Sequence, residues 1–301
     1  MLVFAAGACG EGGDAVWVDL GAREKVVWRH PEAAGPSLSC AVGAMLTPEE
    51  GRTHYGALLE HVARAVGRAA RVVDRRTYAE INGELEEGKV DLAFVCSGPY
   101  VEGRRAFGLE LLAVPVVDGR TTYRSNVITA AAVPAASLEE LRGLSFAFTD
   151  PDSNTGHLVP VHALRELGER PETFFSRTVF SGSHDRSIEA VAGRVVDAAA
   201  VDSLVWDHAV REHPATAGLA RVVWTSEPFG IPPVVVRPGL APEFKERLRA
   251  VFLGLHDDAE GRVLLGRMGI ERFVVGHDED YDSIRAMRAA LAAAGADGGR
   301  P

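Results

Sequence analysis

Hydrophobic residues along this chain fall into short runs separated by longer amphipathic segments. Residues 38–45, 70–74 and 92–96 are apolar enough to form buried strands, whereas residues 48–66 and 78–86 carry apolar side chains at helical spacing. Strands that alternate with helices in this way are typical of parallel β-α-β units, in which the helices cover a sheet. The sequence therefore predicts a fold of the α/β class.

The same alternation is repeated further along the chain. It predicts strands over residues 144–148, 177–180 and 198–201, and helices over residues 156–167, 185–192 and 203–212. A β-branched stretch, residues 123–131, precedes this series, and a proline-containing segment, residues 222–233, follows it. We interpret these two segments as crossings between two lobes.

The two crossings predict the domain organisation. Residues 37–126 and 228–296 are assigned to a discontinuous lobe I, and residues 127–227 to an inserted lobe II. Each lobe is expected to be a mostly parallel sheet flanked by helices, with the crossing strands as a hinge. Because α/β sheets bind ligands at the carboxyl ends of their strands, we expect the site in the cleft between the lobes.

Composition excludes two classes of function. The net charge of -10 leaves no basic stripe of the kind that nucleic-acid binding requires. No run of apolar residues is long enough to span a bilayer. Cys40 and Cys96 lie in strand-like runs, where either buried free thiols or a disulfide between neighbouring strands fits the sequence.

The first residues resemble a protein-export signal. MLVFAAGACG is apolar and ends in small residues before Cys9, as at the end of a bacterial lipoprotein signal peptide. Since the basic region is missing and the apolar stretch is short, either the true start lies upstream or the similarity is accidental. We expect residues 1–36 to hold a truncated signal segment and a tether, with Cys9 lipidated.

The segment FTDPDSNTGHLVP, residues 148–160, is the strongest candidate for a binding site. It places Ser153, Asn154, Thr155 and Gly156 at the start of a predicted helix. Side-chain donors, free backbone N–H groups and the positive end of the helix dipole bind tetrahedral oxyanions, and Gly156 allows close approach. A helix cap would also explain Ser153 and Asn154.

Motifs distributed over residues 38–285 point to one known family. The matching segments are DPDSNTGHLVP, SHD, RTYAEINGELEEGKVDLAFVCSGPYV, GRTTYRSNVIT, SLEELRG, ETFFSR, IEAVAGRVVDAAAVDS and MGIERF. They resemble the periplasmic binding proteins of phosphonate, phosphite and phosphate ABC importers. The resemblance implies a two-lobed type II periplasmic-binding-protein fold that captures a small oxyanion and delivers it to an ABC transporter permease.

The resemblance also implies where the protein works. We expect a periplasmic or other extracytoplasmic monomer that touches the membrane only through a lipid anchor at Cys9. No cofactor, metal or nucleic acid is expected.

Further ligand-binding residues follow from the matched positions. His184, in the SGSHD segment, resembles a family histidine that contacts the oxyanion, and Tyr78 and Tyr123 resemble phenols that reach it from the other lobe. An imidazole there would make binding depend on pH between about 5.5 and 7.5. Thr47 and Ser97, each at the end of a predicted strand, fit either ligand binding or simple helix capping.

Two positions depart from the family members that take aminoalkylphosphonates. Those members place acidic residues where this chain has Leu204 and Pro232. Asp202 could substitute for them. The simplest inference is a ligand without an ammonium group, such as phosphate, phosphite or a small alkylphosphonate.

Other functions are compatible with parts of the sequence. A hydrolase could use Ser153 and His184 with Asp185 or Asp202, but the GxSxG motif is absent. His157 and His162 are not spaced as zinc ligands on a helix. A receptor that signals to a membrane sensor kinase would use the same lobes as an importer component.

Overall fold

The computed structural model describes residues 36–43 and 45–297. Its strands are β1 (Ser37–Val42), β2 (Ala69–Val73), β3 (Leu92–Phe94), β4 (Glu110–Val116), β5 (Thr122–Tyr123), β6 (Ser125–Ala130), β7 (Ser145–Phe148), β8 (Arg177–Phe180), β9 (Ala198–Asp202), β10 (Ala220–Thr225), β11 (Phe229–Gly230), β12 (Val234–Val236) and β13 (Arg272–Val274). The predicted lipidation site Cys9 and the predicted tether lie outside the described residues.

The helices alternate with these strands. They are α1 (Pro48–Ala65), α2 (Tyr78–Glu86), α3 (Ser97–Phe107), α4 (Val159–Glu166), α5 (Pro171–Phe174), α6 (His184–Ala192), α7 (Ser203–Glu212), α8 (Pro214–Ala217), α9 (Pro242–Gly254), α10 (Ala259–Arg267) and α11 (Asp282–Asp297). Short 3₁₀ turns lie at Glu139–Leu141 and Asp278–Tyr281, and one π turn, Asn154–Leu158, runs directly into α4. Within the described part of the chain, no helix is both long and apolar enough to cross a membrane.

Two sheets form the centres of two lobes. The first has the order β13-β4-β12-β3-β1-β2 and the second the order β10-β6-β9-β7-β8. Both are mixed, because β12 and β13 run against the other strands of the first sheet and β6 against those of the second. Most strands of each sheet nevertheless run in one direction, as the alternation predicts. We call the first sheet with its helices lobe I and the second lobe II.

Alternating side chains of lobe I pack on opposite faces of its sheet. Leu38 and Cys40 of β1 face a core shared with α1, α9 and α10, whereas Ala41 faces one shared with α2, α3 and α11. Val235 and its neighbours in β12 alternate in the same way. Apolar side chains on both faces explain why these strands are continuous apolar runs in the sequence.

Lobe II follows the same plan. Val201 and Ile128 face α6, α7 and α8, while Phe146 and Phe148 face α4 and α5 on the opposite side of the sheet. Phe146 stacks on Phe175 with ring centroids 4.3 Å apart. Both faces of both sheets are thus covered, and the ends of the strands are left for a site.

The two crossings run side by side between the lobes. β5 pairs antiparallel with β11, and β6 pairs antiparallel with β10. Ser125 and Ser226 join the crossings further, because the Ser226 N–H donates to the Ser125 carbonyl and the Ser125 N–H donates to Ser226 Oγ, each at 2.9 Å. A paired double crossing is a connection about which two lobes can bend.

The two cysteines within the described residues are free and buried. Cys40 lies in β1, and Cys96 follows β3. Burial raises the pKa of both thiols, so both stay protonated and poorly reactive. Of the two interpretations that fit the sequence, the structure contains the free thiols.

Gly156 sits where no side chain fits. A Cβ at this position would lie 1.8 Å from Thr149 Oγ1, because the π turn passes directly over the end of β7. The predicted helix start at residue 156 is two residues late, since the wide turn begins at Asn154. This tight contact fixes the turn against the sheet.

We expect Gly156→Ala to lower the free energy of unfolding by about 1–3 kcal/mol, because the added methyl group overlaps Thr149. The matched control is Gly83→Ala in α2, where a Cβ meets nothing within 4 Å. There the change should stabilise the helix by up to about 1 kcal/mol. Urea unfolding of both variants measures the difference. Equal free energies of unfolding for the two variants would contradict the proposed contact.

Candidate functional site

Four predicted side chains converge in the cleft between the lobes. Tyr78 is the first residue of α2, Tyr123 ends β5, Thr155 lies in the π turn and His184 is the first residue of α6. Each is at most 2% exposed. The carboxyl ends of strands therefore bring together donors from both lobes, as the topology predicts. We call these four residues and Asn154 the oxyanion cluster.

The π turn is held by a side-chain cap. Ser153 Oγ accepts a hydrogen bond from the Gly156 N–H at 3.0 Å, and the Thr155 carbonyl accepts one from Ser125 Oγ at 2.6 Å. The Ser153 oxygen thus does what a helix cap does. The Thr155 hydroxyl, by contrast, is buried without a partner and is free to meet a ligand.

His184 is oriented by a main-chain hydrogen bond. Its Nδ1 accepts from the Asp202 backbone N–H at 3.0 Å, which requires the proton of the neutral ring to be on Nε2. Burial lowers the pKa of His184 to about 3. The expected titration between about pH 5.5 and 7.5 is therefore wrong for this state, because protonating Nδ1 would place two N–H donors face to face.

The two phenols are neutral donors. Burial, reinforced by the neighbouring Cys96 and Asp202, raises the pKa of Tyr78 and Tyr123 well above the usual value. Tyr123 Oη accepts a hydrogen bond from Asn154 Nδ2 at 3.2 Å. Tyr78 Oη has no partner. All the donors of the cluster are thus uncharged near neutral pH.

Unpartnered polar atoms mark the centre of the cluster. Tyr78 Oη, Thr155 Oγ1, Asn154 Oδ1 and His184 Nε2 are all buried and lack a hydrogen-bond partner. A buried donor or acceptor without a partner costs about 1–3 kcal/mol. Several such atoms, contributed by both lobes, indicate a polar ligand.

Several polar groups near the cluster were not predicted from the sequence. Thr149 and Ser183 each carry a buried hydroxyl without a partner. The Asp150 carboxylate accepts from the Asp152 N–H at 2.8 Å and from the Tyr78 N–H at 3.4 Å. Thr149 and Asp150 directly follow β7, and a position directly after a buried strand is the feature that would have identified them.

Thr47 and Ser97 make other contacts. The Thr47 N–H donates to Asp185 Oδ2 at 3.0 Å, and its side chain forms no cap hydrogen bond. Ser97 Oγ donates to the Gly230 carbonyl at 2.6 Å and so ties α3 to β11. Both residues lie at the cleft, and neither contributes a buried oxygen without a partner.

Asp202 caps α7 and leaves one oxygen free. Its Oδ1 accepts from the Leu204 N–H at 2.7 Å, whereas Oδ2 is buried without a partner. Burial raises the pKa of Asp202 to about 7. The carboxyl group is therefore harder to ionise than that of an exposed aspartate.

Hydrogen bonds between the lobes surround the cluster. The Thr47 N–H donates to Asp185 Oδ2, the His184 N–H to the Met45 carbonyl at 3.1 Å, and the Tyr78 N–H to Asp150 Oδ2. Gly98 of lobe I lies so close to lobe II that a Cβ would be 2.4 Å from the Asp152 carbonyl oxygen. The lobes are therefore closed on each other around the cluster.

The arrangement differs from that of a catalytic triad. Ser153 Oγ is bonded to a backbone N–H, and His184 Nδ1 receives a backbone N–H where a triad histidine would donate to a carboxylate. Among the described residues, no group of three or more histidine, cysteine, aspartate or glutamate side chains is placed to hold a metal ion. The geometry fits binding of an oxyanion by neutral donors.

Comparison with known proteins agrees with this geometry. Residues 41–281 match the family model for periplasmic substrate-binding proteins of ABC phosphonate transporters. The phosphonates-binding periplasmic protein of Escherichia coli is 24% identical over 86% of this chain and 78% of its own length. The phosphate-import protein PhnD of Mycolicibacterium smegmatis is 26% identical over 67% of this chain and 66% of its own length.

Solved structures show the same fold. A binding-protein component of an ABC phosphonate transporter from Pseudomonas aeruginosa is similar with a TM-score of 0.80 and 24% identity over 84% of this chain and 85% of its own. PhnD1 from Prochlorococcus marinus in complex with methylphosphonate has a TM-score of 0.79 and 18% identity over 85% of this chain and 98% of its own. The fold is thus the two-lobed type II periplasmic-binding-protein fold, and the chain belongs to the periplasmic substrate-binding proteins of ABC phosphonate transporters.

Proposed function

We propose that this protein captures a small phosphorus oxyanion, a phosphonate, phosphite or phosphate, between its lobes and delivers it to an ABC importer. The observation that carries the proposal is the set of unpartnered polar atoms in the oxyanion cluster, Tyr78 Oη, Thr155 Oγ1 and His184 Nε2. They belong to both lobes, and each is buried. A tetrahedral anion would accept hydrogen bonds from all three.

Neutral donors suit reversible capture. Hydrogen bonds to a charged group are worth about 1.5–3 kcal/mol each, so a few of them give tight binding without a buried counter-charge. The start of the helix at the π turn adds the positive end of its dipole. The overall charge of -10 does not oppose this, since it is screened beyond about 8–10 Å.

Closure is the step that a transporter can recognise. A ligand that touches Tyr78 in lobe I and Thr155 and His184 in lobe II binds the closed form better than the open one, and it shifts the equilibrium toward closure. The paired crossings at β5–β11 and β6–β10 are the proposed hinge. We propose lobe boundaries at residues 37–126 and 228–296 for lobe I and 127–227 for lobe II.

The remaining elements of the proposal follow from membership of this family. The protein works outside the cytoplasm and presents its ligand to the permease of an ABC transporter. We further propose that it is a monomer, that a lipid at Cys9 anchors it to the membrane, and that it binds its ligand without catalysing a reaction on it.

A thermal-shift screen with phosphate, phosphite, methylphosphonate and sulfate tests the function. Binding stabilises the folded protein by RT ln(1 + [L]/Kd), about 2.7 kcal/mol at a hundredfold excess over Kd. We expect at least one phosphorus oxyanion to raise the melting temperature and to be recovered unchanged after incubation. The proposal fails if no phosphorus oxyanion stabilises the protein.

Thr155→Val should weaken binding of that oxyanion about 10–100-fold, because it removes one hydrogen bond to a charged group and keeps the side-chain volume. Thr178→Val, on the exposed strand β8, is the matched control and should leave Kd unchanged. Isothermal titration calorimetry measures both. Identical Kd values for Thr155→Val and the unmodified protein would remove Thr155 from the site.

His184→Ala should weaken binding by a similar factor at every pH between about 5.5 and 7.5. The imidazole stays neutral over this range, since burial lowers the pKa of His184 to about 3. Plots of log Kd against pH should therefore be parallel for variant and unmodified protein, and His162→Ala, on the surface of α4, should coincide with the latter. A plot that flattens only in His184→Ala would show that the ring titrates.

A further inference from the structure

Two histidines from different lobes face each other across the cleft. His54 lies on α1 of lobe I and His208 on α7 of lobe II. Their rings meet edge to face with centroids 4.7 Å apart, and both side chains line one cavity between the lobes. Tyr78, Thr155 and His184 do not line that cavity. The pair is therefore a contact between the lobes that is separate from the oxyanion cluster.

The surroundings of His208 disfavour a positive charge. Its Nε2 is buried and lacks a hydrogen-bond partner. Burial lowers the pKa of His208, and the neighbouring His54 and Arg211 lower it further. Burial has this effect because a charged imidazolium loses its hydration in a less polar environment. In the closed form, the His208 ring is therefore uncharged near neutral pH.

His54 is held by a carboxylate of its own helix. Glu50 Oε2 lies 3.1 Å from His54 Nε2, at a spacing of four residues along α1. This nitrogen carries a hydrogen both in the neutral ring that donates the bond and in the charged ring that pairs with Glu50. The bond thus survives protonation of His54. A proton gained by His54 consequently places a positive charge beside the His208 ring.

Arg211 adds a fixed positive charge to the same contact. It lies on α7 three residues after His208 and reaches lobe I, where a Cβ at Gly269 would be 3.0 Å from its Nη2. His213 follows, with its ring centroid 6.4 Å from that of His208. A proton on His208 would thus meet positive groups of its own helix as well as a protonated His54.

Acidic side chains around the pair compensate only in part. Glu212 favours a proton on His208, but the pKa of His208 stays below its usual value. Asp207 interacts with Arg211 and with Asp118. The charged and titratable groups around the pair are Glu50 and Tyr55 on α1, Asp118 after β4, and Asp202, Asp207, Arg211, Glu212 and His213 on or next to α7.

Separating the two rings would change this balance. In contact with water, an imidazole has a pKa of about 6.5. Below about pH 6.5, a form with separated rings would therefore bind more protons than the closed form. Protons favour whichever form binds more of them. Closure is thus favoured above about pH 6.5, and this contribution to closure is lost as the pH falls.

We infer that His54 and His208 form a pH-sensitive contact, which lets the lobes close when both rings are neutral and drives them apart when both are protonated. The consequence is weaker ligand binding in acid, although neither residue belongs to the oxyanion cluster. The inference rests on the proposed function, since closure around an oxyanion is the step that the contact regulates.

Kd values at pH 7.5 and 5.5 test the inference, with phosphate, phosphite and methylphosphonate as probes in isothermal titration calorimetry. The charge of each probe also changes with pH, so the unmodified protein is compared with His208→Asn, whose side chain does not titrate. From pH 7.5 to 5.5, the Kd of the unmodified protein should rise about three- to tenfold more than that of His208→Asn. About tenfold is the limit for one group with a pKa of 6.5 in the open form and a much lower one in the closed form.

Two further variants serve as comparisons. His54→Asn should remove part of the same effect, because it abolishes the charge opposite His208 but not the burial of that ring. His162→Asn, on α4, is the matched control and should follow the unmodified protein at both pH values. Burial raises the pKa of Asp202 to about 7. This group is present in every variant, so its titration cancels in the comparison.

Counting protons gives a second measurement. Titrations at pH 6 in buffers of different ionisation enthalpy report how many protons are released when the probe binds. The unmodified protein should release about half a proton more than His208→Asn, since the open form holds a proton on His208 that the closed form excludes.

The outcomes separate this inference from the proposed function. If the unmodified protein and His208→Asn lose affinity equally between pH 7.5 and 5.5, or if His208→Asn loses more, the inference is wrong and the proposed function stands. Equal proton release by the two proteins also overturns the inference. Binding of none of the three probes at either pH overturns the proposed function, together with the inference that depends on it.

Discussion

The hydrogen bond from the Asp202 backbone N–H to His184 Nδ1 decides the chemistry of the cleft. It holds the imidazole in one tautomer and turns Nε2–H away from the main chain. Because the donor is a backbone group at the end of β9, the orientation depends on the sheet and not on another side chain. The same residue caps α7 through Oδ1, and its Oδ2 is buried without a partner. One residue thus links the sheet, the oxyanion cluster and α7.

In the closed form, some buried polar groups have no hydrogen-bond partner within the protein. Hydrogen bonds such as Thr47 N–H to Asp185 and His184 N–H to Met45 satisfy main-chain groups across the cleft. Tyr78 Oη and Thr155 Oγ1 gain nothing from closure without a ligand. Polar groups at the rim of the closed cleft therefore have hydrogen-bond partners, whereas polar groups at its centre lack them. Under the proposed function, this division would couple ligand binding to closure.

Much of the fold could be predicted from the sequence, because both sheets bury continuous apolar runs. The strands at residues 144–148 and 177–180 and the helices opening at Pro48 and Tyr78 were predicted within a residue or two. The helix α3 and the strands β4, β12 and β13 were not predicted. The helix begins with the turn-forming residues Ser97, Gly98 and Pro99, and β4 contains Pro115. The three-residue strands β12 and β13 are too short to show a periodicity. The prediction that His184, Tyr78 and Tyr123 contribute to one site rested on the resemblance to the family.

The location of the candidate site was easier to predict from the sequence than its individual hydrogen bonds. Ser153 was expected among the donors, and the structure uses its oxygen as a cap. The tautomer of His184 depends on a hydrogen bond between distant residues, and the neutral state of its ring depends on burial. No local pattern contains either. Thr149 and Ser183 are buried, and only the packed structure shows that their hydroxyl groups lack partners.

Gly98 limits how the ligand specificity of this protein can change. At this point the main chain of lobe I touches the main chain of lobe II, and a Cβ would lie 2.4 Å from the Asp152 carbonyl oxygen. Backbone contacts cannot be enlarged or reduced by ordinary substitutions. The approach of the two main chains beside Asn154 is therefore fixed, whereas the donors of the oxyanion cluster, such as Tyr78 and His184, are side chains. Under the proposed function, both evolution and engineering of new ligand preferences must work on such side chains.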